Sequence, residues 1–143
     1  MFNPSPIVGV WRHQSFVATE IATGERISTF GDQPNGMIIF TAGGHVNMVL
    51  TGQRRRAAIG RTPTDAEANH LLGSMAAFSG RDRLESNFLI LQIEASWSEA
   101  WTGAEQRRTY EITGDVLKWK SQPLISPTLG KQVVLEGTHT RAE

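Results

Sequence analysis

The polar side chains best suited to binding or proton transfer are His13, Ser15, Gln106, Arg108, Tyr110 and His139. Two imidazoles and a phenol are acid–base groups, so His13, His139 and Tyr110 are the candidate catalytic residues. A guanidinium favours a carboxylate, phenolate or enolate oxygen, which makes Arg108 the candidate anchor for an acidic or enolic ligand. Other chemistries fall away. The chain has no Cys, which excludes disulfides, thiolate zinc sites and Cys nucleophiles. It has no Gly-x-Ser-x-Gly, and "GERIST" (24–29) lacks the glycine and lysine pattern of a phosphate loop. No two of the 4 His stand at metal-ligand spacing, and no heme motif is present, so neither metal nor cofactor is expected.

Charge narrows the partners. With 14 Lys plus Arg against 14 Asp plus Glu there is no basic stripe, so neither nucleic acid nor an anionic membrane surface is an expected partner. The run Arg54-Arg55-Arg56 reads as a solvated loop. No apolar stretch approaches the ~20 residues that span a bilayer. "MFNPSPIVGVW" has neither the basic nor the long apolar region of a secretory signal, so the expected location is cytoplasmic. A length of 143 residues suits one domain, 1–143.

The elements that must position these residues are mostly strands. Glycines separate short apolar runs, as in an all-β barrel or sandwich. In "GVWRHQSFV" alternation sets Gly9, Trp11, His13, Ser15 and Val17 against Val10, Arg12, Gln14 and Phe16. "NGMIIFTAGGHVNMVL" is a hairpin turning at Ala42-Gly43-Gly44, with Val46, Met48 and Leu50 inward. "FLILQIEASW" places Leu89, Leu91, Ile93, Ala95 and Trp97 on one face, with Phe88, Ile90 and Glu94 opposite. "EQRRTYEI" groups Gln106, Arg108, Tyr110 and Ile112, with Glu111 outside. Leu117 and Trp119 share a face after a turn at 113–115, as do Val133, Leu135, Gly137 and His139 in the last strand. One segment reads as a helix, roughly 64–79. Thr64 and Glu67 have capping-box spacing, Leu71, Leu72, Met75 and Phe78 recur at helical period, and Gly80 stops it. Its apolar stripe is expected to close one end or side of the barrel.

Several stretches in order resemble one family. "VGVWRHQSF", "GDQPNGMIIFTAGGHVNMVL", "AAFSGRDRLESNFLILQIEASW" and "WTGAEQRRTYEITGDVLKWKS" are similar to blocks of the lipocalin-like domain family. The resemblance implies an antiparallel lipocalin-like β-barrel of about eight strands with one helix. It further implies that Gly9 starts the first strand tightly, that Trp11 plugs the closed end, and that an Arg from a late strand, Arg108 or Arg141, lies across its ring. The chain departs from the family in lacking His near Leu91 and Gln92, lacking an aromatic residue near Asp82, and carrying His139 where a Trp is common.

In a closed antiparallel barrel the last strand pairs with the first, which brings His139 near Trp11 and His13. The expected site is then a polar cluster of His13, Ser15, Gln106, Arg108, Tyr110 and His139. Its apolar wall is Val46, Met48, Leu91, Ile93, Trp97, Leu117 and Trp119, a composition typical of small-ligand pockets. The leading reading is a protein that binds a small hydrophobic or aromatic molecule. Two alternatives stay open: a cyclase, isomerase or dehydratase acting on a polyketide- or terpenoid-like substrate, and a filled barrel that acts through a homodimer. Outward Phe88 and Ile90 hint at a sheet or helix covering that face.

Overall fold

The computed structural model describes residues 5–143. Residues 1–4, the first part of the stretch tested above for a secretory signal, lie outside the described residues. The strands are β1 (Gly9–Glu20), β2 (Arg26–Ile27), β3 (Asn35–Phe40), β4 (His45–Thr51), β5 (Met75–Glu85), β6 (Phe88–Ser96), β7 (Glu105–Thr113), β8 (Val116–Ser121), β9 (Leu124–Ile125) and β10 (Gln132–Arg141). The sheet runs β1-β3-β4-β5-β6-β7-β8-β10 and closes on itself through antiparallel β1–β10 pairing. Closure removes the exposed edges that an open sheet would present. The short strands β2 and β9 extend the rim by pairing with β1 and β10.

The two ends of the barrel differ. At one end the connections are tight: residues 41–44, 86–87 and 114–115. At the other lie the long ones: 28–34, 52–74, 97–104 and 122–131. The core fills the space between with residues from every large strand, including Trp11, Ile38, Phe40, Leu50, Leu89, Leu91, Ile93, Leu117 and Val133. Inward rows on β4, β8 and β10 follow the alternation read from sequence: Val46, Met48 and Leu50, then Leu117 and Trp119, then Val133, Leu135 and His139 are all buried.

Three expectations are corrected. The helix α1 covers only Asp65–Gly73, and none of its residues is buried. Its capping box is present: the Glu67 backbone N–H donates to Thr64 Oγ1 (3.2 Å) and the Thr64 N–H donates to Glu67 Oε1 (2.9 Å). After Ser74 the chain turns into β5. Met75, Ala76 and Phe78 pair with Thr51, Leu50 and Met48, because burying Ala76, Phe78 and Gly80 on a period of two offers more than a solvated helical turn. Gly80 therefore does not stop a helix. It sits inside a strand, at a bulge against β6.

The second correction concerns parity. The β1–β10 register passes from His13↔His139 to Ser15↔Thr138, which leaves Gln14 as an extra residue. A bulge of this kind inverts every later side chain. Ser15 and Val17 leave the inward row, and Phe16 and Ala18 enter it. A second bulge at Glu94 turns Ala95 outward, so that it is exposed.

The third concerns the outer face at Phe88 and Ile90. Ile90 is fully buried there, flanked in register by Arg83 and Arg107. These arginines lie over the apolar surface and carry their charges to Glu85 and Glu105, with Arg107 4.9 Å from the Phe88 ring. The cover at Ile90 is thus arginine side chains of the neighbouring strands and not a further sheet or helix.

Candidate functional site

Two arginines lie across two tryptophans, one pair at each end. At the closed end Arg141 lies 4.1 Å from the Trp11 ring centre. Its amino groups donate to the carbonyls of Pro6 (2.7 Å), Val8 (2.9 Å) and Glu143 (3.3 Å). Trp11 Nε1 donates to the Ile7 carbonyl at 2.8 Å. Gly9 makes this possible: it has φ 139°, and a Cβ there would strike the Glu143 carbonyl. Of the two arginines considered for Trp11, the structure selects Arg141.

Arg108 instead lies 3.9 Å from the ring centre of Trp119 and 5.9 Å from that of Phe78. It is 2% exposed. Its Nη2 donates to Gln106 Oε1 at 2.9 Å, while its Nε has no acceptor. Burial pulls the guanidinium down to about 9, so it is cationic at neutral pH. Among the described residues no carboxylate lies within ion-pair distance of it. A buried ion normally has a partner, because desolvation costs several kcal/mol that cation–π contact only partly offsets.

Behind the other edge of Trp119 stand the two histidines. Trp119 Nε1 donates to His139 Nε2 at 2.7 Å, which requires the neutral imidazole to carry its proton on Nδ1. That Nδ1 has no acceptor, and neither nitrogen of His13 has a partner. The two rings lie 4.5 Å apart, so the expected meeting of His13 and His139 occurs. Burial, then the Arg108 charge, lowers His13 to about 4. Burial, then His13 and Arg108, holds His139 well below the usual range. Both imidazoles are neutral at pH 7. Gly137 completes this corner: it pairs with Trp119, and a Cβ at 137 would overlap the indole.

A cavity opens at the long-loop end, with Arg108 and Trp119 at its base. Phe16, Met48, Ala76 and Leu135 come from strands; Thr29, Phe30, Trp97, Trp101, Ser126, Pro127 and Thr128 come from the rim. Phe30 packs on Phe16 (5.0 Å), and Trp101 packs on Trp97 (4.9 Å), so the enclosed room is about 20 Å³, enough for one water. Thr29 Oγ1 is buried there without a partner.

Of the residues expected to form the site, Met48, Trp97, Arg108 and Trp119 are on this wall. Gln106 touches it only through Arg108. His13 and His139 lie behind Trp119 and do not line the cavity, while Leu91 and Ile93 belong to the packed core. Tyr110 is half-buried against the core, away from the wall, and Ser15 is displaced by the bulge. Sequence reasoning missed Phe16, Thr29, Phe30 and Trp101. Phe16 needed the bulge to be seen; the others sit in loops, where no period marks the inward side. Among the described residues no group of three His, Asp or Glu side chains could hold a metal ion, and no helix is long and apolar enough to cross a membrane.

No curated protein matches the chain. The model of the family described as "Lipocalin-like domain" matches residues 8–137, from Val8 just before β1 through Gly137 in β10. A closed antiparallel barrel, an inner Trp at its first strand and a match over nearly the whole chain together place this protein in the lipocalin-like domain family, whose barrel is in general a ligand-binding architecture.

Proposed function

We propose that this protein binds a small hydrophobic or aromatic molecule at the long-loop end of the barrel. The observation that carries the reading is the ring-lined cavity of Phe16, Phe30, Trp97, Trp101 and Trp119 between the long rim loops and a packed core. Concave, mostly apolar sites with few polar groups are where small ligands bind. Entry requires the rim to give way, since the present room holds about one water. The side chains that would have to move are Phe30 and Trp101, both carried by connections outside the barrel strands.

The small volume also favours a second reading, a barrel whose interior is simply filled. Titration with the neutral probe N-phenyl-1-naphthylamine separates the two. A ligand-binding barrel enhances the probe's emission saturably and quenches Trp97, Trp101 and Trp119. A filled barrel gives neither signal at any probe concentration short of its solubility.

A further inference from the structure

We infer that the ligand is an aromatic monocarboxylic acid, held as its anion by the Arg108 guanidinium with the Thr29 hydroxyl as a second donor. This rests on the ligand-pocket reading above and adds the chemical class of the ligand. A guanidinium has N–H donors on five positions, and Arg108 uses one hydrogen bond, to the neutral oxygen of Gln106. Its Nε points to no acceptor, and its charge lies over the rings of Trp119 and Phe78 with the neutral His13 and His139 nearby. The half-buried acid Asp82 pairs in register with Leu91 on the tight-turn side of the sheet and makes no ion pair with Arg108. Among the described residues the interior therefore holds one cation and no counter-charge, on the wall of the cavity beneath the rim.

The missing partner has a definable chemistry. One cation calls for one negative charge; a dianion such as a phosphate monoester would leave a charge unpaired in an apolar site. A carboxylate offers two oxygens in a plane, which suits a guanidinium edge and a hydroxyl donor together. Thr29 Oγ1, buried and without a partner on the same wall, is that hydroxyl. The remaining wall is aromatic and favours a flat, apolar body behind the acid.

The test uses a matched pair, 2-naphthoate and 2-naphthamide, titrated into the 143-residue chain by calorimetry at pH 7. The amide keeps shape and apolar area but carries no charge and has an N–H donor group in place of one acceptor oxygen. The expected result is tighter binding of the acid, on the order of 10- to 100-fold. In Arg108→Gln the ratio falls to about one, and in Thr29→Val it falls severalfold. Equal affinities in the unaltered protein, or an acid preference that survives Arg108→Gln, would overturn the inference while the neutral probe still reports a pocket. Failure of the probe and of both naphthyl compounds overturns the pocket reading and this inference with it. The wild-type comparison needs no variant, so it decides the question even if Arg108→Gln does not fold.

Discussion

Arg141 on Trp11 and Arg108 on Trp119 are the same pair of residue types in two settings. At the closed end the guanidinium makes three hydrogen bonds, tying three backbone carbonyls near both ends of the described chain to one indole, and its Nε lies 3.9 Å from the Asp115 carboxylate. At the open end the guanidinium is more deeply buried yet has one neutral acceptor. A cation–π stack alone thus does not distinguish a structural arginine from a binding one. What differs between the two is the number of donors left over.

Four expected outcomes sharpen or break that contrast. The largest is at the closed end: Trp11→Ala removes a fully buried indole and loosens the Arg141 clamp, costing about 3–5 kcal/mol in urea unfolding. Next is pH. His13 is held near 4 in the folded protein and rises to its ordinary 6.5 on unfolding, so below pH 6.5 the unfolded chain takes up the proton first. Stability is complete above pH 6.5 and falls by about 3 kcal/mol as pH drops toward 4, with His139 adding in the same direction. A flat stability profile between pH 7 and 4 would mean that these rings are not buried neutral.

The third outcome sets the two arginines side by side. Arg141→Met leaves backbone carbonyls without donors and lowers stability by about 1–3 kcal/mol. Arg108→Met removes an unpaired buried charge and leaves stability unchanged or raised. If thermal melts show both substitutions equally damaging, the distinction between clamp and site is wrong. The smallest effect lies away from both: Thr64→Ala breaks the capping box of a helix that buries no residue, and costs about 1 kcal/mol or less.

Most of the barrel was legible in the sequence because a strand buried on one side writes its orientation every second residue. Met48, Trp119 and His139 were placed inward on that ground, and Arg108 with them. The errors arise where the period breaks. One extra residue at Gln14 exchanges Ser15 for Phe16, a change that pairing partners decide and local sequence does not. The stretch Leu71–Phe78 fits a helical period and a strand period over different halves, and contact with β4 decides between them at Ser74. Arg55, read as part of a solvated run, reaches the Leu71 carbonyl (3.1 Å) and Ser74 Oγ (3.0 Å) at that junction. Thr29, Phe30 and Trp101 carry no periodic signal, and their inward position follows only from how the rim loops fold over the cavity.

The absence of a side chain at Gly137 has a consequence for how this protein can change over time. The indole of Trp119 occupies the space that any residue other than glycine would need at 137. That indole also carries the Arg108 stack on its face and the His139 bond at its edge. Substitutions at 119 and 137 are therefore strongly epistatic. A larger residue at 137 is tolerable only after Trp119 has shrunk, and by then the arginine has lost its platform. A chain that keeps this glycine keeps the floor of the cavity, whatever changes at the rim.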